Sequence, residues 1–437
     1  MEIPEFMMTV INRLHASGHQ AYIVGGAIRD HCLHRKVTDW DVATSARPEE
    51  IESLFRDVKS FSLKHGTVTL VHSAHHYEIT TFKGAKGPGH TIEEDLGHRD
   101  FTVNAIAYDK AKGTVMDPYG GREDILHKLV RAVRDPKERF REDPIRLLRG
   151  VRLATELGFK IERKTLENIS IMAEKLDSVA RERIRDELLK ILVSPKPSIG
   201  FNLMVKTGLL KHFLPELLEG YRKKQDTSHR FTVYKHIMET VDQVEPDPIL
   251  RLTALFHDIA KPRVREKIDG NFRFFGHGKA SALLAKEIME RLTFCSVMIG
   301  KVTNLVAHHM IGVGYHRGWS DGAVRRLIRR VGLEHIDHFL SFRKADIFAH
   351  GLDDEKMEIL LEFKDRVEAL RKQSLAVKTR DLAIDGHKVM EILDLSQGPE
   401  VGKILKELLE KITDHPEWNT QERLITLLRG GNWHQRN

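Results

Sequence analysis

The chain has 437 residues, of which 41% are hydrophobic and 30% are charged. This composition excludes a fibrous or intrinsically disordered protein, and no apolar run reaches the roughly 20 residues that would cross a membrane. The formal charge of +7 permits a polyanionic partner without requiring one. The first residues lack the features of a signal peptide, and two cysteines cannot build a disulfide framework. We therefore expect a cytoplasmic protein of roughly three domains with no membrane contact.

The predicted elements change character along the chain. Up to about residue 130, short apolar or alternating runs such as AYIVGG, TVTLVH and YEITTF are separated by glycine and proline, which is typical of strands with a few helices. After about residue 140, apolar residues recur at helical spacing almost throughout, as in PIRLLRGVRLATEL and EVGKILKELLEKI. The sequence therefore predicts an α/β or α+β head followed by an all-helical body.

A glycine pair follows the first predicted strand. Gly25 and Gly26 lie between the apolar run AYIV and the segment AIRD, which predicts a strand-to-helix turn. Backbone amides in such a turn can approach the phosphates of a nucleotide closely, and Arg29, one turn into the helix, could reach the same phosphates. The alternative is a tight turn that needs glycine for steric reasons alone.

Two aspartates belong to the next predicted strand. Side chains two residues apart in a strand point to the same face, so Asp39 and Asp41 would project together while Trp40 points to the opposite layer. Two like charges this close need neutralisation, and Mg²⁺ completed by substrate phosphates is the usual solution. Paired metals of this kind activate an attacking hydroxyl and stabilise a leaving pyrophosphate. On its own, however, a D-x-D triplet is more often a turn or a surface feature.

The segment EDPIRLLRGVR, residues 142–152, combines acids with regularly spaced arginines. Pro144 favours a helix start, and on that helix we expect Asp143 and Arg146 to lie on neighbouring parts of one face. The aspartate accepts hydrogen bonds and the arginine donates them, so the pair can match the edge of cytosine or adenine. Uracil and guanine present a carbonyl that Asp143 would repel. The alternative is an N-cap aspartate followed by solvated arginines.

A series of motifs in fixed order resembles the class II tRNA nucleotidyltransferases and bacterial poly(A) polymerases, members of the polymerase-β-like superfamily. The motifs are IVGGAIRD, TDWDVATSA, KHGTVTLV, YEITTF, HRDFTVNAIAYD, DPYGGREDI and RFREDPIRLLRGVRLATELGF. They cover roughly the first 200 residues. The resemblance implies an α+β fold, with a small mixed or mostly antiparallel sheet in the head.

The resemblance also implies roles for individual residues. Asp39 and Asp41 would hold the catalytic Mg²⁺, and a third carboxylate on a neighbouring strand is expected at Glu78 or, failing that, at Asp100; either acid could instead be a structural partner of an arginine. The implied nucleotide-binding residues are Gly25, Gly26, Arg29, Arg99, Asp143, Arg146, Arg149 and Arg152. The last four lie on the segment that serves this family as a protein template.

Two features bear on the substrate that the resemblance implies. The form LKHGTV and the C-terminal segments LAIDGHKVMEIL and GPEVGKILKELLEKI favour the tRNA enzymes over poly(A) polymerases. Only 16 residues separate Phe82 from Arg99, whereas CCA-adding relatives commonly carry a longer loop there that is associated with the switch from CTP to ATP. Its shortening marks enzymes that add only two cytidines, and His98 stands where an arginine is common. We therefore expect C addition and leave the terminal A open.

Histidines and aspartates in the helical body form a second constellation. They recur over about 110 residues, and we select as metal ligands His236, His257, Asp258, His277, His308 (next to His309) and Asp346. This series resembles the HD phosphohydrolase domain, whose histidines and aspartates bind one or two divalent metals, and Lys261 fits its HDxxK context. A satisfied core pair is the alternative for an isolated His-Asp dipeptide.

We accordingly predict four parts: a nucleotidyltransferase head (1–130), a helical neck that selects the nucleotide and binds RNA (131–225), an HD-like domain (226–350) and a tRNA-binding tail (351–437). The expected reaction is attack of the tRNA 3′-hydroxyl on the α-phosphate of CTP, with ATP as a further substrate left open. The expected partners are tRNA, CTP and ATP, and the oligomeric state is open. The rival functions are a poly(A) polymerase and a metal-dependent phosphohydrolase with an RNA-binding head.

Overall fold

The computed structural model describes residues 2–63, 66–73, 75–84, 87–225, 231–311, 315, 318–351, 354–372 and 379–431. The first two residues of the KHGTV motif thus lie outside the described residues. The chain divides into two compact units, Met1–Phe213 and Leu214–Asn437. Within the described residues, no helix is both long and apolar enough to cross a membrane. The finer division into four parts stays a prediction.

The head alternates short strands and helices. Its elements are α1 (Glu5–Ala16), β1 (Ala21–Val24), α2 (Gly26–Cys32), β2 (Trp40–Thr44), α3 (Pro48–Leu54), β3 (Lys59–Leu63), β4 (Thr67–His72), β5 (His75–Thr81), β6 (Lys83–Gly84), β7 (Gly87–Pro88), α4 (Ile92–His98), β8 (Ala107–Asp109), β9 (Thr114–Met116), α5 (Gly121–Leu126) and β10 (Leu129–Val130). A 3-10 turn at Thr102–Asn104 precedes β8.

Seven of these strands form one sheet in the order β3-β4-β5-β2-β1-β8-β9. Strands β2 and β5 pair in parallel, whereas the other neighbours in this sheet are antiparallel. Ile23 and Val24 of β1 and Val42 and Ala43 of β2 are buried, so the central strands read as near-continuous apolar runs. The observed sheet is mixed and small, which confirms the predicted α+β head.

The rest of the first unit is mainly helical. Its elements are α6 (Pro136–Glu142), α7 (Arg146–Leu157), β11 (Lys160–Ile161), α8 (Arg163–Ile171), α9 (Arg181–Leu192) and α10 (Pro197–Thr207). Helix α7 buries Leu147, Leu148 and Val151 on one face and packs against α9 and α10. It ends at Gly158, which has a φ of +69°, the left-handed conformation that glycine adopts most easily at a helix end.

The described residues of the second unit form helices joined by loops, with one two-stranded hairpin. Its elements are α11 (Pro215–Glu219), α12 (Val233–Gln243), α13 (Pro248–Phe256), β12 (Glu266–Ile268), β13 (Asn271–Arg273), α14 (His277–Arg291), α15 (Ser296–His308), α16 (Asp321–Val331), α17 (Ile336–His350), α18 (Asp354–Arg371), α19 (Gly386–Leu393), α20 (Pro399–Asp414) and α21 (Gln421–Gly430). Helix α13 packs against α12, α14, α15 and α17. The prediction of an almost entirely helical body is confirmed.

Candidate active site and metal centre

Three carboxylates gather where β2 and β5 lie side by side. The register pairs Asp41 of β2 with Glu78 of β5 and with Val24 of β1. Paired residues on neighbouring strands project to the same face of a sheet, so the Asp41 and Glu78 side chains share one face. Asp39 is exposed and directly precedes β2, which begins at the buried Trp40. The strand thus starts one residue after Asp39 rather than including it.

We call Asp39, Asp41 and Glu78 the carboxylate edge, because they lie together at one end of the neighbouring strands β2 and β5. Their negative charges repel one another. Burial raises the pKa of Asp41 to about 6, and the carboxylates of Glu78 and Asp39 act in the same direction against the charge of Arg99. Carboxylate oxygens whose negative charges repel one another attract a cation. Oxygen ligands of this kind are those that a hard divalent cation such as Mg²⁺ prefers. The residues present therefore fit the metal that the sequence predicts at this position.

The glycine turn lies against the same carboxylate. Gly25 has a φ of +73°, and a Cβ atom added to it would lie 3.0 Å from Arg99 Nη1 and 3.5 Å from Asp41 Oδ2. Glycine is therefore needed here both for the backbone conformation and for space. Helix α2 begins at the next residue, Gly26, so the structure contains the predicted strand-to-helix turn.

Arg29 is held in place by two neighbours. Its Nε and Nη2 donate hydrogen bonds to the two carboxylate oxygens of Asp30, at 2.9 and 3.0 Å. Its Nη1 donates to Asn104 Oδ1 at 2.8 Å. The positive charge of Arg29, like that of Arg99, opposes the rise in the pKa of Asp41. The Arg29 guanidinium therefore belongs to the surroundings of the carboxylate edge.

Asp100, the second candidate for the third carboxylate, is engaged elsewhere. Its carboxylate accepts hydrogen bonds from the Phe101 amide at 2.8 Å and from Arg149 Nη1 at 3.1 Å. Burial opposes ionisation, but the charges of Arg149 and Arg146 outweigh it and lower the pKa of Asp100 to about 2. Asp100 is thus a buried partner of an arginine, and the geometry favours Glu78 as the third member of the carboxylate edge.

The prediction that Asp143 and Arg146 share one helical face was wrong. Asp143 has extended backbone angles and ends α6, while α7 begins only at Arg146. Pro144 explains the break, because a proline disfavours the helical conformation of the residue before it. Both oxygens of Asp143 accept hydrogen bonds from Arg183 of α9, at 3.0 and 2.8 Å.

The arginines of α7 are each fixed by other groups. Arg146 Nη2 donates to the carbonyl oxygen of His98 at 2.9 Å. Arg149 and Arg152, one turn apart, share the carboxylate of Glu187 on α9, with N–O distances of 3.3 and 2.6 Å. The sequence did not single out Glu187 or Arg183, because their roles arise only when α9 packs against α7.

Six buried side chains of the second unit form two groups whose potential ligand atoms lie within 4.8 Å of one another. The groups are His236, His257 and Asp346, and Asp258, His277 and His309. The two groups adjoin, since Asp258 Oδ2 lies 3.1 Å from His257 Nε2 and 3.4 Å from His236 Nε2.

The histidine rings are oriented for metal binding. Nδ1 of His257, His277 and His309 lies 2.7 to 2.8 Å from a backbone carbonyl oxygen. A carbonyl only accepts hydrogen bonds, so Nδ1 carries the proton and Nε2 presents its lone pair. Burial lowers the pKa of His309 to about 3 and that of His236 to about 4, which keeps both neutral. Among the described residues, none donates a hydrogen bond to the buried Asp258 Oδ1. This donor set fits one or two divalent metals.

The cluster contains His309 where we predicted His308. His308 is only partly buried, and its Nδ1 lies 2.9 Å from the carbonyl oxygen of Asn304 in its own helix. Successive helical residues diverge by roughly 100°, and here the His309 ring faces the cluster while the His308 ring turns back to its own helix. Lys261 lies at its rim, with Nζ 2.7 Å from Asp258 Oδ2 and donating to Gln225 Oε1 at 2.9 Å.

Three family models match the chain. The poly A polymerase head domain matches residues 21–131, the probable RNA and SrmB-binding site of polymerase A matches residues 158–220, and the HD domain matches residues 227–338. Together with the carboxylate edge and the histidine cluster, these matches define a nucleotidyltransferase of the poly(A) polymerase class that carries an HD domain.

Relatives that match nearly the whole chain show to which family within this class the chain belongs. The chain is 34% identical to a CC-adding tRNA nucleotidyltransferase of Thermus thermophilus over 94% of each chain, and 30% identical to a CCA-adding enzyme of Lactobacillus gasseri over 96% of each. The crystal structure of the Bacillus stearothermophilus CCA-adding enzyme in complex with CTP superposes with a TM-score of 0.74 at 27% identity, covering 98% of each chain. The chain belongs to the family of CC- and CCA-adding tRNA nucleotidyltransferases, which confirms the resemblance.

Proposed function

We propose that this protein adds cytidine to the 3′ end of tRNA by attack of the terminal 3′-hydroxyl on the α-phosphate of CTP, with release of pyrophosphate. The observation that carries this proposal is the shared face of Asp41 and Glu78, with Asp39 beside them and Gly25 and Arg99 against them. The names of the relatives support the choice of tRNA over other RNA ends.

Each residue of the head then has a part. Asp39, Asp41 and Glu78 would hold Mg²⁺, which when bound lowers the pKa of the attacking hydroxyl and neutralises the leaving pyrophosphate. The Gly25 turn lets backbone amides approach the triphosphate closely, and the glycine avoids a clash there. Arg99 and Arg29 supply positive charge, and the hydrogen bonds that Arg29 donates to Asp30 and Asn104 hold it in one orientation before the nucleotide arrives.

Base selection is proposed to rest on Asp143 and Arg146. Burial opposes ionisation of Asp143, but the hydrogen bonds from Arg183 outweigh it and lower its pKa. An ionised carboxylate only accepts hydrogen bonds, so it favours the amino group of cytosine and repels the carbonyl of uracil. Asp143 is therefore oriented by its hydrogen bonds from Arg183, and not by a position on the same helix as Arg146. Arg146, Arg149 and Arg152 of α7 form what we call the arginine row, which faces the nucleotide in this proposal. Glu187 fixes Arg149 and Arg152.

Two observations favour an enzyme that stops after the second cytidine. The segment between Phe82 and Arg99 has 16 residues, and its described part folds into the hairpin β6–β7 and the short helix α4. The chain is also 34% identical to a relative named CC-adding, against 30% for the CCA-adding relative of Lactobacillus gasseri, which it matches over a similar length. A segment this short and this ordered leaves little freedom to rebuild the pocket for a second base.

The decisive experiment supplies purified protein with tRNAs that end at the discriminator base, at C and at CC, each with a single nucleoside triphosphate. We expect CTP to extend the first two substrates to CC and ATP to extend none. Addition of A to the CC end would overturn the C-only assignment while keeping the tRNA assignment. Long adenylate tails on unrelated RNA would instead identify a poly(A) polymerase.

We propose a second function, metal-dependent phosphoester hydrolysis, at the histidine cluster of the second unit. The observation that favours it is the convergence of neutral Nε2 atoms on two buried carboxylates, Asp258 and Asp346. A metal ion held there would supply an activated water at neutral pH. Asp258 belongs to one group and touches the other, so it would help to hold metal in either group.

The adjacent histidines of α15 provide a matched test. His309→Ala should lower the divalent metal retained after dialysis, measured by mass spectrometry, and should lower hydrolysis of bis(p-nitrophenyl) phosphate by about 10- to 100-fold, the usual cost of disturbing a metal site. His308→Ala should leave both unchanged, because His308 does not belong to the cluster. Equal losses in the two variants would contradict the assignment of His309 as the ligand.

A further inference from the structure

A buried carboxylate ties together the two ends of the short segment that precedes Arg99. Asp95, on α4, is only 1% exposed. Its Oδ1 accepts a hydrogen bond from the Lys83 amide at 3.0 Å, where the segment begins, and its Oδ2 accepts one from Arg99 Nε at 3.0 Å, where the segment ends. One side chain therefore fixes both the start of the segment and the arginine that follows it.

This contact determines which part of Arg99 remains available. Asp95 engages Nε, which leaves the two terminal nitrogens of the guanidinium, and Nη1 is the atom that lies 3.0 Å from where a side chain on Gly25 would begin. The same added side chain would lie 3.5 Å from Asp41 Oδ2, so the Arg99 guanidinium and the Asp41 carboxylate both lie against Gly25. Within the described part of the chain, Asp95 is the only group that accepts a hydrogen bond from the Arg99 guanidinium. Asp95 thus aims Arg99 at the carboxylate edge.

The segment around Asp95 leaves little room for another arrangement. The Gly89 amide donates to the carbonyl oxygen of Phe82, and a Cβ atom on Gly89 would lie 2.6 Å from the carbonyl oxygen of Lys83. The Thr91 hydroxyl accepts a hydrogen bond from the Glu94 amide at the start of α4. These contacts bring the Asp95 side chain next to the Lys83 amide. Because a carboxylate has two acceptor oxygens, Asp95 accepts hydrogen bonds from the Lys83 amide and from Arg99 Nε at the same time.

We propose that Asp95 is a positioning residue for CTP binding, which acts by holding the Arg99 guanidinium with its terminal nitrogens toward the triphosphate. This inference rests on the proposed function of the head. Asp95 does not touch the nucleotide itself. Its effect passes through Arg99, and this dependence distinguishes a positioning role from a contribution to folding alone.

The test is a double-mutant cycle on the full-length protein, with CTP incorporation into tRNA ending at C as the readout. In Asp95→Asn, one oxygen can still serve Lys83, but an amide NH₂ replaces the acceptor of Arg99. We expect KM for CTP to rise roughly 10- to 100-fold, the value of one charge-assisted hydrogen bond, with a much smaller change in kcat. In an Arg99→Ala background, Asp95→Asn should add less than about twofold, because residues that act through one group are not additive.

Three further variants complete the design. Asp95→Glu keeps both acceptor oxygens and should restore part of the CTP affinity. Asp95→Ser, which cannot serve both donors, replaces Asp95→Asn in the cycle if the latter does not fold. Asp109→Asn is the matched control, because Asp109 is also a buried carboxylate that accepts backbone hydrogen bonds, from Ala111 and Lys112 in the turn after β8. Its KM for CTP should equal that of the wild type.

The outcomes separate the two proposals. An unchanged KM in Asp95→Asn, or an equal rise in the presence and absence of Arg99, would overturn the positioning role. A wild-type protein that does not incorporate CTP would instead overturn the proposed function.

Discussion

Asp100 and Arg149 form an ion pair that joins the segment after α4 to helix α7. The asparagine side chain of Asn104 links the same carboxylate to Arg29, through hydrogen bonds of 3.3 Å to Asp100 Oδ1 and 2.8 Å from Arg29 Nη1. Arg29, which follows the glycine turn, is thus connected to Arg149 of the arginine row through the side chains of Asn104 and Asp100. Asp100 therefore contributes both to stability and to the relative placement of the two ends of the nucleotide site.

Asp100→Asn should lower the free energy of unfolding of the first unit by about 2 kcal/mol at pH 7, since a pKa lowered from 3.8 to about 2 is worth this much. The folded-state pKa lies below the unfolded-state value, so the contribution is present above about pH 4 and is lost as the pH falls toward 2. Denaturant unfolding of wild type and variant should therefore differ at pH 7 and converge near pH 2 to 3.

Glu162 offers a control for this measurement. It is a partly exposed carboxylate of the same unit that caps α8 by accepting a hydrogen bond from the Thr165 amide. Glu162→Gln keeps the acceptor oxygen, and we expect a smaller loss of stability than in Asp100→Asn. A constant difference between wild type and Asp100→Asn from pH 7 to pH 2 would show that the ion pair does not cause the loss.

The sequence predicted the residues of the site better than their partners. Strand periodicity predicted that Asp39 and Asp41 project together, and the motif resemblance supplied Glu78 as the third carboxylate. The strand register then places Asp41 and Glu78 on one face. The partners Arg183, Glu187 and Asp95 were missed, since hydrogen bonds between elements are set by packing and leave no fixed spacing in the sequence. The choice between His308 and His309 failed for a related reason: a histidine pair does not reveal which member faces the core.

Helix α7 is packed against the head at a position where no side chain fits. A Cβ atom on Gly150 would lie 2.9 Å from Cζ of the fully buried Phe101 and 3.4 Å from Cδ1 of Ile169. Gly150 is one residue from Arg149. The close approach therefore sets how near the arginine row stands to the segment that carries Arg99 and Asp100.

Gly150→Ala should lower the stability of the first unit by about 1 to 3 kcal/mol, the usual cost of overpacking a core, despite the better helix propensity of alanine. It should also raise KM for CTP, because the arginine row must shift to relieve the contact. Thermal unfolding and CTP incorporation measure the two effects.

Gly402→Ala is the matched control for this substitution. Gly402 also lies within a helix, α20, but a Cβ atom added there would meet nothing within 4 Å. We expect unchanged or slightly raised stability and an unchanged KM. A destabilisation equal to that of Gly150→Ala would show that the contact of Gly150 with Phe101 does not cause the loss.

The elements themselves were largely predictable, and the exception has a clear cause. Alternating apolar runs and helical spacing indicated the mixed sheet and the helical body, because burial of one face imposes both periods. The pattern did not reveal that α7 begins after Asp143. Proline was read as a helix start, but its steric effect on the preceding residue decided the backbone of Asp143. The small hairpin β12–β13 was also missed, since its strands of three residues each are too short to show a period.

The molecule as a whole combines two sets of candidate metal ligands, one in each compact unit. The carboxylate edge belongs to Met1–Phe213 and the histidine cluster to Leu214–Asn437. The edge consists of oxygen donors only, which suits Mg²⁺, whereas the cluster adds imidazole nitrogens, which suit transition metals. The two sites should therefore differ in the metal that activates them, as well as in the reaction they support.

Single substitutions should separate the two activities. Asp41→Asn removes a charged oxygen ligand from the edge and should abolish CTP incorporation while metal retention and phosphodiester hydrolysis by the second unit stay at wild-type levels. His277→Ala should have the opposite effect, because it removes one Nε2 from the cluster and leaves the head intact. Incorporation with Mg²⁺ and hydrolysis of bis(p-nitrophenyl) phosphate with Mn²⁺, Co²⁺ or Ni²⁺ provide the paired readouts. Loss of incorporation in His277→Ala would mean that the metal of the second unit supports nucleotide transfer, and loss of hydrolysis in Asp41→Asn would place hydrolysis in the head. Either result would contradict two independent sites.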